Sequence, residues 1–296
     1  MSWISPFSLP GSWFKGNLHT HTTQSDGLLT PDQAANWYCE QGYDFLAITD
    51  HRVLTPGKTT RPDFITVTGT ELDGPGYHLL ALGISALPDD HVAESPQAVT
   101  EFVRAQGGMP FFAHPYWSGQ TSAEIAAVQG IMGLEVYNSI CDKMVGLGYA
   151  RVHWDDLLAQ GARLTGLAVD DVHWRHEAQG RGFIMVQAER LEETHILEAI
   201  RKGHFYASMG PTIQDLRVVR LGDHRRALRV HCSACSEITF FACGPLGHRF
   251  EAPAGGTLTA AAHPLSPEQV YLRVECRDAQ GRIAWSNPVY TEDVLE

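Results

Sequence analysis

Two histidines stand two residues apart in GNLHTHTTQSDG (16–27), with a carboxylate five residues on: His19, His21 and Asp26. Alternate residues of an extended strand leave the same face, so both imidazoles can grip one cation. The same residue types recur at His51, Glu71, His114, Asp171 and His173, each near the end of an apolar, β-prone run. Asp171 and His173 repeat the two-residue spacing. Taken singly, each has an ordinary alternative. Asp50-His51 reads as a helix cap beside a surface ring, Glu71 as a solvated strand end, and His114 before Pro115 as a satisfied core histidine. The grouping carries the metal reading. Carboxylates bridging cations reduce their repulsion, imidazoles supply neutral donors, and metal binding lowers the pKa of water from about 15.7 to about 7, so no Ser or Cys nucleophile is required.

The elements that must position these residues follow from hydrophobic patterning. Strands are predicted at 16–22, 44–51, 64–72, 78–84, 109–115, 133–138, 163–173 and 182–188, and helices at 30–42, 95–108, 153–161 and 193–203. Thr30 suits an N-cap, Pro31 the first helical position and Gly42 a stop. Such alternation implies parallel strands joined by helical crossovers and closed as a barrel. The candidate ligands then fall at the C-terminal strand ends, where an α/β barrel gathers its active site. After about residue 210 the pattern changes to short alternating strands separated by Gly, Pro, Asp and Asn turns, which predicts a small antiparallel β domain, sandwich-like, over 211–296.

Composition narrows the functional classes. The 296 residues are 44% hydrophobic and 19% charged, an ordinary globular balance, and the formal net charge is −12. That charge argues against a nucleic-acid polymer as partner, because such binders present a basic face that releases counterions. An anionic small molecule would have to be attracted locally. Six irregularly spaced cysteines, no basic-then-apolar opening and no uninterrupted apolar span of membrane length lead us to expect a soluble, cytoplasmic protein with no membrane partner.

In order and approximate spacing, HTHTTQSDG, AITDH, GTEL, FAHP and VDDVH resemble the motifs of the PHP family, named for polymerase and histidinol phosphatase. The resemblance covers roughly residues 14–208. It implies a distorted seven-stranded β/α barrel, here over 1–210, and metal-dependent phosphoester hydrolysis by a bridging hydroxide on two or three divalent ions (Zn, Mn or Fe). Carried over by residue, it implies one metal on His19, His21, Glu71 and Asp171, a second on Glu71 and His114, and a third on Asp26, His51 and His173. The remaining ligand of the second site matches Cys141 best, with Glu135 and Asn138 as fallbacks. A thiolate would tilt that site toward zinc or iron over manganese. Buried packing is the usual role of a free cysteine.

Several neighbours are candidates for supporting roles. Asp170 is expected to orient a ligating imidazole. His78 can face the cluster and protonate a leaving group, or simply satisfy a core hydrogen bond. Arg52, Lys58 and Arg61 lie on a catalytic-side loop where cations can clamp phosphate, the alternative being a solvated loop. Tyr116, Trp117 and Trp174 can wall a pocket for an aromatic or nucleobase group, or merely pack. The Cys232-x-x-Cys235 pair, with only Cys243 nearby, reads as strand residues before it reads as a zinc site.

Three functions remain open at this level: a phosphoesterase on a small metabolite, an ester or carbamate hydrolase using the same metals, and a non-catalytic metal-stabilised module. The β domain would cover the barrel, mediate self-association or limit access.

Overall fold

The computed structural model describes residues 3–59, 61–222 and 225–295. The protein is mixed α/β. Its first part runs β1 (Ser12–Asn17), α1 (Pro31–Glu40), β2 (Phe45–Ile48), β3 (Ile65–Gly74), β4 (Tyr77–Leu82), α2 (Pro96–Ala105), β5 (Met109–Phe112) and α3 (Ser122–Ala126). It continues with β6 (Gly133–Asn138), α4 (Ser139–Val145), α5 (Arg151–Ala159), β7 (Thr165–Val169), β8 (Phe183–Ala188), α6 (Glu193–Arg201) and β9 (Phe205–Ser208). Local signals explain several boundaries. Thr30 caps α1 through a reciprocal bond with Gln33, with Pro31 next, and Ser95-Pro96 repeats the device at α2.

Strands β1 to β3 pair in parallel, as do β5 to β7. The expectation of parallel strands throughout is corrected at β8, which pairs antiparallel with β1 and β9, and at β4, which pairs antiparallel with both β3 and β5. The physical reason at β4 is Gly74-Pro75-Gly76, with Gly76 at φ 76°: a tight turn returns the chain at once and leaves no residues for a crossover helix. Beyond the named strands, the chain at 18–21 meets the chain at 171–172. Asp171 N donates to His19 O at 2.9 Å and His21 N to Val172 O at 3.0 Å, which brings the end of β7 against the continuation of β1.

The C-terminal part holds β10 (Ile213–Arg220), β11 (Arg226–Cys235), β12 (Glu237–Phe241), β13 (His248–Glu251), β14 (Leu258–Pro264), β15 (Tyr271–Arg277) and β16 (Ile283–Ser286). Strands β10, β11 and β14 form a separate antiparallel sheet. The other C-terminal strands join the main sheet, because β16 pairs with β9 from Ser208↔Ala284 to Tyr206↔Ser286. Sheet hydrogen bonds therefore cross position 210. The apolar core divides in three: one cluster inside β1 to β9, one between the C-terminal sheets, and one under α1 around Tyr38, Tyr43 and Leu46. Among the described residues, no helix is long and apolar enough to cross a membrane.

Candidate metal centre

Strand ends deliver the polar residues to one place. Asn17, the last residue of β1, donates to Gly182 O and accepts from His19 N, so the chain leaves β1 in a fixed direction with His19 and His21 fully buried. His51 follows β2 and bridges to Glu71 within β3, His114 follows β5, and Asp171 and His173 follow β7. Three of these positions, or their neighbours, adopt backbone angles that L-residues seldom take: Arg52 (φ 53°), His114 (φ 28°) and Asp171 (φ 54°), with Trp174 (φ 65°) nearby. Such strain persists only where surrounding structure holds it, and it concentrates at functional sites.

Glu71 lies at the centre. Its Oε2 is 3.1 Å from Nε2 of both His19 and His21 and 3.4 Å from His51 Nδ1. Its Oε1 is 2.7 Å from His78 Nδ1 and 3.1 Å from His114 Nε2. Asp171 Oδ1 faces the same two rings, 3.2 Å from His19 Nε2 and 3.1 Å from His21 Nε2. Three sets of donors are close enough to share an ion: His19, His21, Glu71 and Asp171; His21, Asp26, His51 and His173; and His51, Glu71 and His78.

The donor set fits divalent metals. Ligands about 2.1 Å from a cation stand roughly 3.0–3.4 Å from each other in octahedral or tetrahedral coordination, and the first set shows 3.1–3.2 Å between facing atoms. Two buried ring nitrogens, His19 Nε2 and His21 Nε2, point at each other 3.1 Å apart. Asp171 Oδ1 and His51 Nδ1 are buried without a hydrogen-bond partner of proper geometry, despite their close neighbours. Buried polar atoms are ordinarily satisfied, and a shared cation is what would satisfy these.

Without one, protons substitute for its charge. Burial works against a charged His19, yet Asp171, Glu71 and Glu135 outweigh it and lift its pKa well above the usual histidine value. His21 is raised to about 9, burial being overcome by Asp171 and Glu71. Burial likewise opposes ionisation of Glu71, but His19, His114 and His21 hold its carboxyl well below the usual range. His173 moves the other way, lowered by burial and by His21.

Positioning is supplied by carboxylates behind the ligands. Glu135, fully buried, accepts from His19 Nδ1 at 2.6 Å, His114 N at 2.7 Å and Asn138 Nδ2 at 2.8 Å. That bond fixes the His19 tautomer and turns Nε2 toward the cluster. The residue expected there, Asp170, does something else. It accepts from Tyr38 OH and from the amides of Gly180, Arg181 and Gly182, which organises the loop before β8 and touches no imidazole. Burial raises its pKa to about 6 in spite of those donors. Asp50 anchors Thr22 and Ser25 and so shapes the turn that carries Asp26.

The cluster opens into a cavity of about 500 Å³. Asp26, His51, Glu71, His78, His114, Cys141, Asp171, His173 and Trp117 line it, together with Ile140, Met144, Val145, Arg175 and His176, for which the sequence carries no signal. Cys141 lines the cavity but belongs to none of the close donor sets, and burial followed by the Asp171, Glu135 and Glu71 carboxylates pushes its thiol up. Other candidates lie elsewhere. Arg52 turns to Asp73 O at 2.6 Å and toward Asp90, Lys58 is exposed, and Arg61 pairs with Asp63. Tyr116 packs beside His153, and Trp174 donates to His21 O while stacking edge-on with Trp37 and Tyr38. Cys232 and Cys235 are buried strand residues with sulfurs 3.9 Å apart.

No protein-family model and no curated protein matches the chain. Solved structures do. A two-domain protein containing a predicted PHP-like metal-dependent phosphoesterase, from Bacteroides vulgatus, is 14% identical with a TM-score of 0.53, over 94% of this chain and 95% of that one. The likeness shows a shared fold along nearly the whole length of both. An amidohydrolase from Chromobacterium violaceum, with bound sulfate and no metal, is 15% identical over 53% of this chain and 87% of that one, at a TM-score of 0.37.

Proposed function

We propose that this chain is a metal-dependent hydrolase of the PHP kind, its first 210 residues a distorted seven-stranded barrel, and that it cleaves a phosphoester of a small metabolite. The observation that carries the reading is Glu71, a buried carboxylate with ring nitrogens of His19, His21, His51, His78 and His114 all within 3.4 Å. In this reading His19, His21, Glu71 and Asp171 hold one ion, Asp26, His51 and His173 another, and Glu71 and His114 with Cys141 a third. The ions, Zn, Mn or Fe, would supply a hydroxide at neutral pH and neutralise charge on the phosphoryl group.

The remaining work falls to protein groups. Glu135 keeps His19 in the tautomer that presents Nε2. His78 lines the cavity and bonds Glu71 through Nδ1, so that its Nε2, when it also carries a proton, can pass that proton to a leaving oxygen. Arg175, also at the wall, is held by Asp26 O at 2.8 Å and draws an anion toward the cluster of an otherwise acidic protein. A small cavity and a net charge of −12 favour a metabolite over a polymer. Six irregularly spaced cysteines, all free, support a cytoplasmic setting.

The experiment is a hydrolysis screen of metal-reconstituted protein against phosphomonoesters, phosphodiesters and aryl carbamates, with Glu71→Gln alongside. Phosphoester turnover that disappears in Glu71→Gln is the expected result. One observation favours a second reading, hydrolysis of a carbamate or carboxylic ester. The three cations marked as phosphate clamps, Arg52, Lys58 and Arg61, lie outside the cavity lining. Carbamate turnover with inert phosphoesters would establish it. No turnover on any of these, with metal bound, would leave the non-catalytic module.

A further inference from the structure

The cavity has two unlike sides. Beside the cluster, Trp117, Ile140, Met144 and Val145 form an apolar stretch of wall, with the Trp117 ring against those of His114 and His78. It is conspicuous because large apolar side chains are left in water: Trp117 is 46% exposed, Met144 49% and Val145 57%. An exposed apolar surface that continues a polar cavity marks a place where a ligand supplies the missing contacts.

The wall is built as firmly as the cluster. Ile140 and Met144 stand one helical turn apart on α4, so they present one face. Asn138 caps that helix by accepting from Cys141 N at 3.1 Å, and the same side chain donates to Glu135 and to Asp171 Oδ2, both in the cluster. Ile140 N donates to Asp170 O, and the helix ends at Gly146 with φ 74°. Trp117 sits in the turn after His114, closed by Ser118 N to His114 O at 3.1 Å, with its ring 4.9 Å from the His114 ring and 6.0 Å from that of His78. Both halves of the wall are thus held by residues that also hold the cluster, and the distance between them is set by the fold.

We infer that the substrate carries an aromatic or branched apolar group beside its phosphoryl group, and that Trp117, Ile140, Met144 and Val145 select for it. The inference rests on the phosphoester reading. The phosphoryl group lies against the cluster, with Arg175 at the flank. The apolar body covers Trp117 and the Ile140/Met144 face, removing them from water. A sugar or polyol ester of equal size would bring hydroxyls against a surface with no partner for them.

The test is calorimetric titration of the metal-reconstituted protein with two non-hydrolysable probes, phenylphosphonate and methylphosphonate. We expect phenylphosphonate to bind about tenfold tighter or more, and Met144→Glu and Trp117→Ala each to reduce that ratio at least about fivefold. Two variants, at a helix surface and in a turn, guard against misfolding, which thermal melts would reveal. Equal affinity for the two probes, or a preference untouched in both variants, overturns the inference and leaves the phosphoester reading standing. Failure of both probes to bind removes that reading and the inference with it.

Discussion

Two buried charge clusters sit in this molecule, and they are built on opposite principles. At the junction of the two parts, Arg273 is fully buried, with Nε and Nη2 on the Asp155 carboxylate at 2.7 and 2.6 Å and Nη1 on Glu275 at 2.8 Å. Trp154 and Phe241 cover its faces, Tyr271 and Trp285 donate to Asp155 Oδ1 and Glu275 Oε1 beside it, and Arg151 donates to the remaining Glu275 Oε2. Two guanidinium groups meet two carboxylates, and every strong donor has an acceptor. Around Glu71, by contrast, acids face imidazoles that carry charge only because those acids raise them, a carboxylate oxygen lacks a geometric partner, and ring nitrogens face each other. The closed cluster joins α5 to β15. The open one is completed only by something that arrives. Buried charge alone therefore does not mark a functional site; incomplete pairing does.

The comparison can be broken most sharply by exchanging outcomes. Glu71→Gln is expected to lower turnover at least about a thousandfold and to leave the protein folded, with a smaller change in thermal midpoint than Arg273→Ala, as steady-state assay and calorimetry would record. A large loss of stability with activity retained would make the Glu71 cluster structural. Arg273→Ala should do the reverse. Uncompensated buried carboxylates cost about 3–5 kcal/mol, which lowers Tm by roughly 10 °C in a chain of this size. Per folded molecule, metal content should be unaltered. If metal is lost instead, the junction and the centre are coupled and the distinction fails.

How much of each cluster shows in the sequence follows from the same physics. Strand-end ligands are legible because the apolar run that precedes each one is itself a strong pattern, as in FLAITDH and MPFFAHP. Their neighbours are less legible: Asp50 and Asp170 lie past the ends of β2 and β7, and with Asp171 at φ 54° the alternation of a strand no longer says which way a side chain turns. Asp170 is expected to meet an imidazole, and the structure places it on Tyr38 and the amides of 180–182 instead. The direction of β4 was hidden because alternation is the same in parallel and antiparallel pairs, and only Gly74-Pro75-Gly76 betrayed it. Helix α4 spans Ser139–Val145, two turns that are too short for periodicity to register, so the wall at Ile140 and Met144 went unseen. Arg273 and Asp155 lie 118 positions apart and no local pattern joins them.

A subtler contrast concerns pH. In the metal-free protein, His21 has its pKa raised to about 9 in the fold against 6.5 unfolded, and His19 moves in the same direction. Raised groups stabilise fully below the unfolded value and lose that contribution as pH climbs through the folded one. Melts of metal-free protein should accordingly decline in Tm between about pH 6.5 and 9, while metal-loaded protein, with cations replacing those protons, stays level. Glu71 and Asp171 are lowered, so their contribution is lost on the acid side, below the ordinary carboxylate range. A metal-free melt that is flat from pH 6.5 to 9 would show the imidazoles neutral and the cluster less acidic than its geometry requires. Glu135→Gln then probes the carboxylate behind the ligands. With the His19 Nδ1 bond weakened, metal affinity is expected to fall about 10- to 100-fold, read by competition with a chelator.

The smallest effect is reserved for Arg52, which by position should matter and by geometry should not. It follows His51 directly and holds φ 53°, yet its guanidinium points to Asp73 O, Asp73 and Asp90, where the pairs are partly solvated. Exposed pairs of this kind contribute about 0–1 kcal/mol. Arg52→Ala should therefore change kcat/KM by less than about threefold, whereas Arg175→Ala, at the cavity wall, should raise KM for a phosphoester about tenfold or more. If the two variants exchanged effects, the cation that meets the substrate would be the one next to His51 in the chain, reached by a loop movement, and the resting geometry would be a poor guide to the occupied site.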